Sequence, residues 1–390
     1  MDIKEIQEYL VKHELDGWLI ADFHGRNSIA VDMLGLSGML TRRSFYFIPA
    51  HGEPVALVHS IEKDKFTNLS GAIRTFSSYR VLESLLKEIL GHADRVAMEY
   101  SPMGRLPYIG LVDAGTVELV RSYDVDVVSS ADLVAHFQAR LSVEQIAMHR
   151  MAARNLIEIK HLAFRFISEA LRQGNHIDEY AVCKFIREQF DRFDMETSSG
   201  PNCSVGANAG NPHYEPTEKG SAVIEDGELV LIDLWAKVKH PQGIYADITW
   251  MAYTGSAEEI PPKFSKAFGV IAQARDRAVE FLRENIDKRP VYGYEVDDVC
   301  RAVVNSAGHG DAFTHRTGHS ITTSEHGTGP NIDNLETEDR RKLQKGHLFS
   351  IEPGMYLPEY GLRTEIDVLI GHDGVEVTTL PLQNEILALR

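Results

Sequence analysis

Cysteine is scarce in this chain of 390 residues: it has only Cys183, Cys203 and Cys300, widely spaced and with no CxxC pair. That excludes a thiolate zinc site and a disulfide scaffold, and makes a reducing cytoplasm the expected home. Basic residues are outnumbered, with 40 Lys and Arg against 57 Asp and Glu. The resulting charge of -17 repels a phosphate backbone and argues against sequence-independent nucleic-acid binding. No apolar run reaches the roughly 18 residues that a membrane span needs, and the opening "MDIKEIQEYLVKHELDGWLIAD" lacks a basic region followed by an apolar one. Neither anchoring nor export is expected. Low-complexity tracts, flexible Gly/Ser linkers and short-period repeats are also missing.

With 43% hydrophobic and 25% charged residues, the chain can bury a large core divided between two domains. Ile3, Ile6, Tyr9 and Leu10 share one helical face. The stretches "WLIAD", "SFYFIPA", "VALVHS", "RVAMEY" and "VELVRS" then read as short strands, with a helical pattern at "YRVLESLLKEIL". This alternation predicts an α/β domain over residues 1–140. Ser142 with Gln145 signals a capping box that opens a long helix stopped by Gly174. Helical patterns follow at "DEYAVCKFIREQFDRF" and "FSKAFGVIAQARDRAVEFLREN", and strand-like pieces at "ELVLIDLWAKV", "GIYADITWMAY", "LFSIEPGMYL" and "LRTEIDVLI". Residues 141–390 therefore read as an α+β domain whose mostly antiparallel sheet is backed by helices.

Two features of that second region carry chemistry. The segment "HRTGHSITTSEHGTGP" holds His315, His319 and His326 in a stretch too polar for a good amphipathic helix. Asp233, Asp247, Glu352 and Glu365 each interrupt an apolar strand. Asp233 and Asp247 could lie side by side on a hairpin, and Glu352 and Glu365 form a similar pair. A single acid beside an apolar run is ordinarily a strand end facing solvent. Four such acids brought together in a core would repel one another and lose hydration unless cations compensated them. Two divalent ions offset four negative charges, and one histidine completes an oxygen-rich site for manganese, iron, cobalt or zinc.

The motifs "VGANAGNPHYEP", "LIDLWAKVKHPQGIYADIT", "HRTGHSITTSEH", "FSIEPGMY" and "GLRTEIDVLI" occur in the order found in the pita-bread metallopeptidases. That family includes methionine aminopeptidase, Xaa-Pro aminopeptidase and Xaa-Pro dipeptidase. The chain resembles it over nearly its whole length, with residues 1–140 similar to the creatinase/prolidase N-terminal domain and residues 141–390 to the catalytic domain with its curved sheet. The resemblance implies Asp233, Asp247, His319, Glu352 and Glu365 as ligands to two divalent metal ions, manganese first. His213 and His326 would contact the substrate and the developing oxyanion, Arg363 would brace the site, and Glu352 would handle the proton of a metal-bridging hydroxide. His315 is expected to make a structural hydrogen bond. The implied activity is hydrolysis of Xaa-Pro peptide bonds, by an aminopeptidase or a dipeptidase acting as a homodimer.

Several positions depart from the family pattern. Trp235 stands where a glycine is common, and the connection from Asp233 to Asp247 is longer than usual. Trp250 replaces an arginine, Ser320 and Thr322 replace glycines, and "HGTGP" replaces the usual ending of the histidine motif. These changes leave room for a small-molecule C–N hydrolase of creatinase or ectoine-hydrolase type. A third reading is a non-catalytic binding module on the same fold. Retention of all five ligand positions and the lack of basic patches count against that module.

Overall fold

The computed structural model describes residues 2–390, which divide into two compact units meeting in sequence at Gln138 and Ala139. In the N-terminal unit a six-stranded sheet runs in the order Ala72–Phe76, Val55–His59, Arg43–Pro49, Gly17–Phe23, Arg95–Met98 and Asp126–Ser129. Gly17–Phe23 is antiparallel to Arg43–Pro49 and parallel to Arg95–Met98. Its alternate residues serve two cores: Trp18 and Ile20 pack on one face, Leu19 and Ala21 on the other. A strand buried on both faces must be apolar throughout, as "WLIA" is.

One expected strand is not a strand. The stretch "VELVRS" lies in the helix Ala114–Arg121, and the sheet position it was expected to fill belongs to Asp126–Ser129. Asp113 starts this helix by accepting the Thr116 amide at 2.9 Å, and Val117 and Val120, one helical turn apart, share its buried face.

In the second unit the helix Val143–Arg172 opens with the Ser142/Gln145 capping box, and Gly174 follows it with a φ of +68°. The strands Leu229–Val238 and Ala246–Tyr253 form an antiparallel hairpin at the centre of the sheet. Val230, Ile232, Leu234, Ile248 and Trp250 pack on one side with residues of the helices Val143–Arg172 and Glu179–Arg192. Leu229, Leu231, Met251 and Tyr253 pack on the other side with residues of Pro262–Asn285 and Gly293–Ser306. The sheet is mostly antiparallel; the two-residue strand Leu387–Ala388 pairs parallel with Ala252 and Tyr253.

Two stretches that read as continuous strands are each broken. Leu348–Ile351 is followed by Gly354–Leu357, and Tyr360–Arg363 by Ile366–Gly371. The breaks fall at Glu352-Pro353 and Thr364-Glu365. Pro353 has no N–H for a ladder, and both candidate glutamates sit where backbone pairing lapses and side chains can turn inward.

Candidate metal centre

The centre is built on the hairpin. Asp233 pairs with Thr249 and Asp247 with Trp235, so all four side chains project from the same face. Further along that face Leu231 and Met251 belong to the apolar core. The same surface thus changes from hydrocarbon to carboxylate within two residues.

The second pair of acids comes from the broken ladder. Ser350 pairs with Asp367 and Ile351 with Ile366, leaving Glu352 and Glu365 at the next positions, just outside the ladder. The Glu365 amide donates to Thr249 O at 3.2 Å, which ties this strand end to the hairpin. His319 arrives on a segment held by backbone bonds from Ser350 N to His319 O at 2.9 Å and from Glu352 N to Thr317 O at 2.7 Å. A Cβ at Gly318 would lie 1.9 Å from Ser350 O, so only glycine lets the two backbones approach this closely.

The candidate ligands meet there. One ligand atom from each of Asp247, His319 and Glu365 lies within 4.8 Å of the others. His319 Nε2 is 3.7 Å from Asp247 Oδ2 and 3.5 Å from Glu352 Oε1. Asp233 joins through two neighbours: Arg363 donates to its Oδ2, and the Thr249 hydroxyl is 3.1 Å from its Oδ1. That hydroxyl is closer still to Glu365 Oε2, at 2.7 Å, and accepts from Arg363 Nε at 2.8 Å.

The electrostatics of the centre call for a cation. Burial, followed by the charges of Glu365 and Asp233, holds the Asp247 carboxyl well above its ordinary range. Glu365 is raised for the same kind of reason, burial first and then Glu352 and Asp233. Asp233 is raised by burial against the opposing pull of Arg363. His319 is pushed down to about 3, chiefly by burial, and is therefore neutral. Its Nδ1 faces the carbonyl of Ser320 at 3.3 Å, which assigns the proton there and leaves the Nε2 lone pair directed at two carboxylates. Lone pairs facing lone pairs repel. Asp247 Oδ1 is buried and has no hydrogen-bond partner. A divalent cation would turn each of these unfavourable contacts into a ligand bond, so the residues present fit such an ion.

The remaining candidates are distributed around this centre. The His326 ring lies 4.2 Å from that of His319, centroid to centroid, and that neighbour, followed by burial, depresses its pKa. His213 is exposed on a loop, where its amide donates to Asn211 Oδ1 at 3.1 Å. The loop is pinned twice at Tyr214: its carbonyl accepts from Asn202, the residue paired with Asp233, and its hydroxyl donates to Glu179 at 2.5 Å. His315 makes the expected structural bonds, with Nδ1 2.6 Å from Arg316 O and Nε2 2.8 Å from the Tyr356 hydroxyl.

Sequence reasoning missed several residues that orient the candidate ligands. Thr249 spans two of them, Ser350 donates to Glu352 Oε1 at 3.0 Å and accepts from the His319 amide at 3.0 Å, and Asp367 accepts from Asp247 N at 2.9 Å. Each lies two residues from an acid already singled out, the spacing at which strand residues share a face, and period-two reading would have found all three. Glu179, which accepts from Val205 N, Asn208, Tyr214 and Ala222 N, had no such signal.

The two tryptophans that break the family pattern play different parts. Trp250 points away from the acids, into the core beneath the long helix, where Lys160 Nζ lies 3.3 Å from its ring centroid. Trp235 shares the acids' face, with its indole over Gly200: a Cβ there would lie 2.1 Å from the ring. It narrows the surface beside Asp247.

Residues 152–372 match metallopeptidase family M24, and the chain belongs to that family. It is similar to an uncharacterized peptidase of Staphylococcus haemolyticus, 28% identical over 58% of this chain and 60% of the relative. It is also similar to an Xaa-Pro dipeptidase of Lactobacillus delbrueckii subsp. lactis, 29% identical over 64% of this chain and 62% of that one. The alignments thus span less than two thirds of these curated relatives.

Among solved structures, the dipeptidase PepE from Mycobacterium ulcerans superposes with a TM-score of 0.74 over 99% of this chain and 96% of its own, at 19% identity. The overall fold is the two-domain pita-bread architecture. The N-terminal domain of the FACT complex subunit SPT16 from chickpea shares it, with a TM-score of 0.69 at 12% identity, over 99% of this chain and 96% of that one. Fold alone therefore does not decide the activity.

Proposed function

We propose that this protein is a di-metal hydrolase of Xaa-Pro peptide bonds, an aminopeptidase or a dipeptidase, with Asp233, Asp247, His319, Glu352 and Glu365 holding two divalent ions, manganese first. The observation that carries the reading is the convergence of Asp247, His319 and Glu365, one ligand atom of each within 4.8 Å of the others, with His319 Nε2 3.7 Å from Asp247 Oδ2 and 3.5 Å from Glu352 Oε1. Two bound ions would acidify a water and polarise the scissile carbonyl. The chain's own residues do the rest. Glu352, oriented by the Ser350 hydroxyl at 3.0 Å, takes the proton from the attacking water and returns it to the departing proline nitrogen. His326 and His213 donate hydrogen bonds to the substrate and to the oxyanion as the carbonyl becomes tetrahedral. Arg363 and Thr249 hold Asp233 and Glu365 in place.

Proline suits such a site because its ring removes the peptide N–H and fixes φ, so the bond cannot be bound as an ordinary extended strand. The similarity to an Xaa-Pro dipeptidase supports this substrate class. Residues 1–140 are proposed to be a creatinase/prolidase-type N-terminal domain, and the working unit a cytoplasmic homodimer. The test is to load the protein with manganese, cobalt, zinc or iron and assay Xaa-Pro dipeptides, longer Xaa-Pro peptides and a panel of cyclic amides. Release of free proline or of a proline-led peptide supports the proposal. Inactivity on every proline peptide, with turnover of a cyclic amide, would replace it with the small-molecule C–N hydrolase.

A further inference from the structure

The N-terminal unit holds a cavity of about 670 Å³, all of whose lining residues belong to that unit. The register of the sheet shows how it arises. Gly17–Phe23 and Arg43–Pro49 pair Leu19 with Phe47, Ala21 with Phe45 and Phe23 with Arg43, so these six side chains share one face. The first four join the core beneath the helices Tyr79–Leu90 and Ala114–Arg121, with Leu82, Leu86, Val117 and Val120. At Phe23 and Arg43 this core runs out and the cavity begins; Phe23 continues a buried apolar row yet is 43% exposed. The cavity thus lies at the carboxyl end of a strand, beside the first turn of Ala114–Arg121, where open α/β sheets hold small molecules.

Three charged groups on its wall are unpaired. Among the described residues neither Arg43 nor Arg26 makes a hydrogen bond or ion pair, and the Arg26 guanidinium lies 5.7 Å from the Phe23 ring centroid. The Glu83 carboxylate, on Tyr79–Leu90, likewise has no hydrogen bond or ion pair there, so it closes on neither guanidinium. The other two acids of the wall are already engaged. Asp22 accepts from Gly25 N at 2.8 Å and Asn27 N at 2.9 Å, and Asp113 from the Thr116 amide at 2.9 Å and hydroxyl at 2.6 Å. The bonds to Asp22 also fix the loop that presents Arg26. Asn27 locks it further, donating to Ala21 O at 2.9 Å and to the buried Glu99 at 2.8 Å.

We propose that this cavity binds a free α-amino acid with an apolar side chain, its carboxylate on Arg43 and Arg26, its ammonium on Glu83 and its side chain against Phe23 and Phe45. Opposite charges that share a cavity without meeting are both satisfied by a ligand carrying one of each. A simple anion would leave Glu83 unpaired, and a simple amine would leave both arginines so. Guanidinium forks match a carboxylate bidentately, and the phenyl rings have nothing polar to offer the rest of the ligand. The volume lies within the roughly 300–1,000 Å³ of small-molecule sites. The inference stands apart from the peptidase reading, although a peptidase releases molecules of this class and would fill the site with its own product.

The test is calorimetric titration of the full chain, stripped of metal with a chelator so that the proposed metal centre takes no carboxylate. The probes are L-phenylalanine, N-acetyl-L-phenylalanine, L-phenylalaninamide and glycine, against wild type, R43M, R26M and E83Q, each checked for folding by circular dichroism. L-Phenylalanine is expected to bind wild type at one site. The two blocked derivatives and glycine should bind at least about tenfold more weakly, the scale of one lost hydrogen bond to a charged group or of one unburied side chain. R43M and R26M should weaken phenylalanine binding about tenfold or more. E83Q should do the same and lose the discrimination against the acetylated form. Absence of phenylalanine binding by wild type overturns the proposal, as does binding that none of the three substitutions changes. Equal affinity of wild type for phenylalanine and its acetylated form would make the cavity a plain anion site and overturn the assignment of Glu83.

Discussion

Thr249 stands opposite Asp233 on the central hairpin, and its hydroxyl touches acids from both halves of the centre: Glu365 Oε2 at 2.7 Å and Asp233 Oδ1 at 3.1 Å. A hydroxyl has one proton, so it donates to the nearer carboxylate while accepting from Arg363 Nε at 2.8 Å. This one side chain couples two proposed ligands and the guanidinium that restrains them. Thr249→Val keeps the shape and removes the coupling. Metal affinity should fall about 10- to 100-fold, as when an outer-shell partner is lost, with the fold intact. Calorimetric metal titration beside circular dichroism checks it, and unchanged affinity would remove Thr249 from the centre.

Much of this centre could be read from the sequence because strand geometry is periodic. Asp233 and Asp247 were found as acids inside apolar strands, and the same alternation places Thr249 and Asp367 two residues beyond an acid and Ser350 two before one. The long helix from Val143 was legible from its capping box. The helix Ala114–Arg121 was not, because its β-branched residues are as compatible with a strand and the deciding contact is a single cap by Asp113. Glu179 was invisible for a different reason: the amides it accepts from lie 26 and 43 residues further along the chain, at Val205 and Ala222. No local pattern encodes such an approach.

Glu179 predicts a separation of structure from metal binding. It is fully buried and accepts bonds from Val205 N at 2.8 Å, Ala222 N at 2.8 Å, Asn208 Nδ2 at 3.0 Å and the Tyr214 hydroxyl at 2.5 Å. These fasten the loop that carries His213. Glu179→Ala leaves those donors without their acceptor and should destabilise the protein by about 3 kcal/mol or more. Metal content should be retained while kcat/KM falls at least about tenfold, since catalytic geometry tolerates little displacement. His213→Ala should give the same kinetic loss at wild-type stability. Loss of metal in either variant would mean that the loop supports the ligands themselves.

Trp235 predicts substrate range. Its indole lies on the acids' face, opposite Asp247, and leaves no room for a side chain at position 200. Removing it opens space beside the centre. Across Xaa-Pro dipeptides, Trp235→Ala should raise the kcat/KM ratio of phenylalanyl-proline to glycyl-proline about tenfold, the scale on which pocket volume discriminates. Metal content should not change. An unchanged ratio would place the substrate elsewhere and leave Trp235 a structural cover for Gly200.

Lys160 predicts a pH dependence that does not involve the metal. Its ammonium is buried against Trp250, with His161 Nε2 2.9 Å from Nζ, and burial lowers its pKa from 10.5 to about 7. Between these values the unfolded chain binds a proton that the folded chain does not, so this residue makes stability rise with pH from about 7 to about 10.5 and imposes a constant deficit below that window. The Trp250 ring recovers part of the deficit through its quadrupole. Lys160→Met fills the same volume without the charge. It should be more stable than wild type by about 1 kcal/mol or more at pH 6, with the advantage fading as pH rises. Denaturant midpoints of the two proteins at several pH values measure it. A difference that stayed constant with pH would show that Lys160 is not the titrating group, and a less stable variant would mean that the contact with Trp250 outweighs the loss of hydration.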